Sequence, residues 1–205
     1  MASLENTALL LIGFQNDYFH EDGILYKVIE ESAKATQVVQ NTVKLLQDLI
    51  ETPLHILMTP IIFTPNYEEL SNPVGILQAI KKANAFQAGS HGAETIPEIL
   101  AFGDRIKTIP GKRGFNAFIG TKLEAYLKAN NIEHVVIAGA VTSICIDSTA
   151  RSAHEKHYNI TILSDCISAR TNFEQEFYIE NVFPLYAETR TANEFIEALT
   201  VTNAR

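Results

Sequence analysis

HVVIAGAVTSICIDSTARSAHEKHYNITILSDCISA, residues 134–169, is one strand–helix–strand unit. His134 to Ala138 is a short, almost wholly apolar run, and Gly139 opens a tight turn after it. Ser143 to His157 has the spacing of a helix, and Asn159 to Leu163 reads as the next strand. Apolar strands without a polar face are buried on both sides, the condition of a parallel sheet between two helical layers. Ala150 and Ala153 are small enough to let the intervening helix lie close against that sheet.

The same alternation runs through the rest of the chain. Thr7 to Gly13 is a first apolar run, followed at once by the polar turn Gln15-Asn16-Asp17. Lys27 to Ile50 reads as one helix, with Val39, Val43, Leu46 and Ile50 on its apolar face, and Pro53 closes it. Leu54 to Met58 and Arg105 to Ile109 are further strands, and Ala117 to Ala129 and Glu174 to Phe183 further helices. Ala187 to Thr189 is a short last strand, and Thr191-Ala192-Asn193-Glu194 fits a capping box opening the final helix. Residues 60–104 are irregular, with Pro60, Pro65, Pro73 and the segment Gly89-Ser90-His91-Gly92. Long irregular sections in an alternating α/β chain usually carry function. The expectation is a three-layer α/β/α domain of Rossmann-like type over residues 1–205, with no repeat or linker.

Composition narrows the partners. The net charge of −8 argues against a nucleic-acid surface, and Lys81-Lys82 and Lys112-Arg113 are too small to reverse it. No apolar run approaches the roughly 20 residues that span a bilayer. The start, MASLENTALLLIG, lacks the basic residues and small-residue cleavage site of a signal peptide. With only Cys145 and Cys166, a cytoplasmic protein with free thiols is expected.

Cys145 falls near the first turn of the helix after the strand at 134. A thiol there meets the positive end of the helix dipole and unpaired N–H groups, which favour thiolate and can hold an oxyanion. Most free cysteines are instead small buried hydrophobes, and on spacing alone both readings of Cys145 stay open. Cys166, in SDCISA, reads as structural. The tip of the first strand poses the opposite question: Gly13 stands where active-site groups often project, and it has no side chain.

GAVTSICIDSTARSAHEKHYNITILSDCISA resembles the signature of the isochorismatase-like cysteine hydrolases, the superfamily of nicotinamidase and N-carbamoylsarcosine amidase. GKRGFNAFIGTKLEAYLKANNI, residues 111–132, and the opening LLLIGFQNDYF agree with it. The resemblance implies a six-stranded parallel sheet flanked by helices, a small carbonyl substrate, no cofactor, and a homo-oligomer, dimer or tetramer. It implies Cys145 as nucleophile and Lys112 as the lysine of the site. It also implies a cis peptide between Ala140 and Val141, with the N–H groups of Val141 and Cys145 forming the oxyanion hole. The family's opening motif resembles Asp-Val-Gln-Asn-Asp-Phe, and Gly13-Phe14-Gln15-Asn16-Asp17-Tyr18 lines up with it without a gap. Gly13 therefore occupies the position of the catalytic aspartate, and Asp17 matches the second, structural one.

Two departures follow. Isochorismatases proper keep the aspartate and dispense with the cysteine, so their vinyl-ether cleavage is not expected here. Nicotinamidases carry an Asp-x-His metal cluster after the second strand, where this chain reads MTPIIFTPNYEEL, so no metal is expected. Without the carboxylate, amide cleavage lacks its proton donor and better leaving groups suffer less. Candidate substitutes are His20, His91 and Glu94, and Phe19, Phe63, Phe115, Tyr67 and His91 are candidate pocket residues. The alternative to a hydrolase is an impaired homologue that binds a small molecule or a protein.

Overall fold

The computed structural model describes residues 3–203. Six strands form one parallel sheet: β1 Thr7–Ile12, β2 His55–Thr59, β3 Lys107–Thr108, β4 His134–Ala140, β5 Asn159–Ser168 and β6 Glu188–Arg190. Their order across the sheet is β3-β2-β1-β4-β5-β6, every pair parallel. The chain thus builds one half of the sheet outward from β1 and the other outward from β4. Loops leaving the carboxyl ends of β1 and β4 diverge, and that switch point is where open α/β sheets place their sites.

The helices are α1 Asn16–Phe19, α2 Tyr26–Thr36, α3 Val38–Leu49, α4 Gly75–Ala83, α5 Pro97–Leu100, α6 Leu123–Ala129, α7 Asp147–Glu155, α8 Asn172–Phe177 and α9 Ala192–Asn203. Alternate residues of the central strands feed two cores. Leu10, Ile12, Val135 and Ile137 pack with α6 and α7 on one face, and Leu9, Leu11, Val136 and Ala138 with α3 and α9 on the other. Ala150 and Ala153 are fully buried, so α7 does approach the sheet closely. The capping box of α9 is reciprocal: Thr191 N–H donates to Glu194 Oε2 (2.7 Å) and Glu194 N–H to Thr191 Oγ1 (3.2 Å). No helix among the described residues is long and apolar enough to cross a membrane.

Several boundaries differ from the sequence reading, each for a local reason. The single helix expected over Lys27–Ile50 is α2 and α3, broken at Gln37, whose φ of 52° is left-handed. The break rotates the buried face of α3 to Val38, Thr42, Leu45, Leu46 and Leu49 and leaves Ile50 at the surface. Residues 117–122 are turn, not helix: Asn116 Oδ1 accepts the Phe118 N–H (2.9 Å), a local bond that competes with helix initiation. Arg105 belongs to a turn and not to β3, because its guanidinium is drawn to the carbonyls of Ile50, Thr52 and Leu54. The helix expected over Glu174–Phe183 ends at Phe177 and continues as a wider π-helical turn, Tyr178–Val182. Strands β4 and β5 run beyond their expected ends, and those extra residues carry the chain into the site.

Candidate active site

The elbow after β4 presents the sulfur. Gly139, with φ +127°, lies so close to the Ile12 backbone of β1 that a Cβ would collide with it. The Ala140–Val141 peptide bond is cis. A π-helical turn, Thr142–Ile146, follows and leads into α7, so Cys145 sits one turn ahead of the regular helix expected to hold it. The N–H groups of Ile144 and Ile146 both donate to the Val141 carbonyl, at 3.0 and 3.2 Å. This doubly used acceptor shapes the elbow. Thr142 Oγ1 donates to Gln175 Oε1 (2.7 Å), and Gln175 Nε2 donates to the carbonyls of Ser164 and Ile167 (3.1 Å each). A fully partnered, buried glutamine thus ties the elbow to β5. Ser143 Oγ also donates to Glu174.

Lys112 approaches from the other half of the sheet. Its backbone pairs with Ile61, just beyond β2, and Arg113 pins the same loop by bonding Glu69 (2.9 Å) and the Ile62 carbonyl. The Lys112 side chain is 1% exposed, and its Nζ lies 3.4 Å from Cys145 Sγ and 2.6 Å from the Gly114 carbonyl. Cys145 itself is 5% exposed. A buried ammonium needs a partner that offsets its lost hydration, and the sulfur and one carbonyl are what this site offers.

Gly13 closes the third side. Its φ is +74°, and a Cβ built there would stand 2.8 Å from the Ala140 carbonyl oxygen and 3.6 Å from the Tyr18 ring. The loop behind it is held by two side chains of the Gln-Asn-Asp turn. Gln15 donates to the carbonyls of Ile61 and Ala93 (2.8 and 2.7 Å) and accepts the Ile61 N–H (2.9 Å). Asp17 accepts the N–H groups of Phe86 (2.5 Å) and Ile24 (3.4 Å), so its carboxylate is spent on backbone.

His20 and His91 lie in a cavity apart from Cys145 and Lys112. His20 and His91 pack edge to face, centroids 5.5 Å apart, and His91 Nδ1 lies 3.2 Å from Glu94. They line a cavity of about 220 Å³ with Asp17, Asp22 and Ser90, to which neither Cys145 nor Lys112 contributes. Phe63 is fully buried beside Tyr67 and Phe86, Phe19 stacks on Phe14 at 5.3 Å, and Phe115 is partly exposed on the loop after Lys112. Cys166 is sealed in the core, where burial and then Asp165 push its thiol well above the usual cysteine range. Among the described residues, no three His, Cys, Asp or Glu side chains gather where they would hold a metal ion. Gln175 is the residue at the elbow that sequence reasoning missed, and it carries no local signal because it reaches Thr142 from 33 positions further along the chain.

The chain resembles known proteins along most of its length. It is 36% identical over 106 residues to the uncharacterized isochorismatase family protein YwoC of Bacillus subtilis, covering 51% of this chain and 54% of that one. It is 36% identical over 88 residues to YecD of Escherichia coli, another uncharacterized member, covering 43% and 47%. The chain spans about half the length of these two relatives. Over 208 residues it is 24% identical to the ureidoacrylate amidohydrolase RutB of Cronobacter sakazakii, covering 95% of this chain and 89% of that one. A cysteine hydrolase from Pseudomonas syringae shares the fold with a TM-score of 0.83 at 20% identity, covering 98% and 95% of the two chains. The isochorismatase domain model matches residues 7–194, and the chain therefore belongs to the isochorismatase family.

Proposed function

We propose that the protein is a hydrolase that uses Cys145 as nucleophile on a small carbonyl substrate, with Lys112 holding the sulfur in its charged form. The observation that carries this reading is the buried Lys112 Nζ at 3.4 Å from Cys145 Sγ. A packing role alone asks for no ammonium there, because burying one costs several kcal/mol unless it is compensated. In this reading the sulfur adds to the carbonyl carbon and the developing oxyanion is held by the N–H groups of Val141 and Cys145. The near full-length similarity to an amidohydrolase supports an amide or a related carbonyl compound as substrate. On the same reading the chain works as a dimer or tetramer, for which the exposed Phe173 and Leu185 supply apolar surface, and light scattering tests that assembly.

Gly13 favours a second reading, a homologue that binds a small molecule or a protein without turning it over. The two are separated by a matched ester and amide of one small acid, assayed with the native protein, Cys145→Ala and Gly13→Asp. Ester hydrolysis that disappears in Cys145→Ala establishes the hydrolase. No acylation of Cys145 by either substrate leaves the binding reading standing. A rise in amide cleavage confined to Gly13→Asp identifies the missing carboxylate as the limiting group.

A further inference from the structure

An ammonium carries three N–H donors. Lys112 Nζ lies 2.6 Å from the Gly114 carbonyl oxygen and 3.4 Å from Cys145 Sγ, and among the described residues it has no third partner. Because Lys112 is 1% exposed, the remaining N–H is held in a buried place beside the nucleophile. A buried lysine is ordinarily paired with a carboxylate, which keeps the proton on the nitrogen. None serves here. Position 13 is glycine, and the Asp17 carboxylate accepts the N–H groups of Phe86 and Ile24.

We propose that Lys112 is the proton donor to the leaving group, a second task beside holding the thiolate. The proposal rests on the hydrolase reading. Cys145 thiolate forms the C–S bond and the carbonyl oxygen takes the electron pair. The sulfur then carries no charge, and the buried ammonium has lost the partner that offset its dehydration. The leaving nitrogen is two bonds from Sγ, so an Nζ at 3.4 Å from the sulfur stands within reach of it. As the oxyanion collapses, the C–N bond breaks, and the nitrogen keeps its pair and takes a proton from Nζ. The products are free amine, a thioester on Cys145 and Lys112 as neutral amine. Water then adds to the thioester carbonyl and gives a proton to Nζ. The C–S bond breaks, releasing the acid and restoring thiolate and ammonium. Both charges thus leave the buried site together and return together. With no carboxylate at position 13, nothing anionic holds the proton on Nζ once the thioester forms.

Lys112→Arg is the test, because a guanidinium keeps the positive charge beside the sulfur but does not give up its proton in proteins. Alkylation of Cys145 by iodoacetamide and cleavage of an ester with a good leaving group should stay near native. Hydrolysis of the matched amide should slow by roughly 10²-fold or more. Lys112→Met removes charge and donor together and keeps the test open if the larger guanidinium fits poorly. Its ester cleavage should recover at pH ~9, where thiols ordinarily ionise unaided, while its amide cleavage should not. The ratio of amide to ester rate is the readout, expected to fall in both variants. A ratio within a few-fold of native in either one overturns the proposal. A native protein that acylates Cys145 from the ester but leaves the amide intact overturns it too, with the hydrolase reading still standing. Acylation of the native protein by neither substrate defeats that reading itself.

Discussion

Gly13→Ala adds one methyl group at the most constrained point of the site, and its consequence can be worked from the backbone. At φ +74° a residue with a Cβ loses about 1–2 kcal/mol relative to glycine. The new Cβ also meets the Ala140 carbonyl oxygen at 2.8 Å, too close for carbon against oxygen. That oxygen belongs to the backbone at the end of a central strand, so it gives way poorly, and overpacking of this kind costs about 1 kcal/mol or more. Opposing both, alanine restricts the unfolded chain and returns about 0.4–1 kcal/mol. The net expectation is a loss of about 2 kcal/mol. In urea, with a slope typical of a domain this size, the midpoint should fall by about 1 M at an unchanged slope. An unchanged or higher midpoint would mean that the β1 loop relaxes freely and that glycine is not demanded there. Aspartate tolerates a left-handed φ better but carries the same Cβ contact. The carboxylate introduced by Gly13→Asp therefore arrives with a backbone penalty, and the activity of that variant must be read beside its stability.

Arg105→Lys should lower stability by about 1–2 kcal/mol, because a point charge cannot reproduce the fork that reaches Ile50, Thr52 and Leu54 at 2.7–2.8 Å. A thermal melt should show it as a drop of roughly 2–8 °C, and an unchanged melt would mean that water replaces the fork. His134 is held by burial at a pKa of about 4, against an ordinary 6.5, with Thr161 Oγ1 2.9 Å from Nε2. Below pH 6.5 the unfolded chain takes up a proton that the folded imidazole refuses. Stability should therefore fall as pH drops from 6.5 towards 4, by up to about 3 kcal/mol from this residue. Urea midpoints of the native protein and His134→Gln across that range should diverge, and parallel curves would remove His134 from the account. Iodoacetamide should label Cys145 in the folded protein and Cys166 only after denaturation, read by peptide mass; equal labelling in the folded state would contradict the burial of Cys166.

The layered fold was legible because it rests on period and composition. The runs at Thr7, Leu54, His134 and Asn159 are apolar on both faces, and their burial in β1, β2, β4 and β5 follows from that alone. What misled was geometry carried by single residues. Nothing in the apolar spacing of Lys27–Ile50 marks Gln37 as a left-handed break, since glutamine is an ordinary helix former. Asn116 stops a helix by a bond to its own neighbourhood, and Arg105 leaves a strand for carbonyls more than 50 residues away in sequence. Cys145 and Lys112 were nominated from motif context, and their approach to 3.4 Å depends on two loops from opposite halves of the sheet.

Gly13 and Tyr18 together set what a side chain at position 13 would meet. Were the space beside the elbow open, an aspartate at position 13 would be accommodated at no cost. Instead the backbone there is left-handed, and the ring of Tyr18 borders the point from which a side chain would grow. A glycine at position 13 lets that ring lie close, and the ring brings a polar oxygen without a protein partner. The two residues are thus one structural feature. Gly13→Asp in the presence of Tyr18 crowds the site, whereas Gly13→Asp combined with Tyr18→Phe relieves only the oxygen and leaves the ring edge in place. If the ring itself sets the conformation of Gly13, the double variant should recover little stability over Gly13→Asp alone. Recovery of most of the loss would locate the conflict at the hydroxyl.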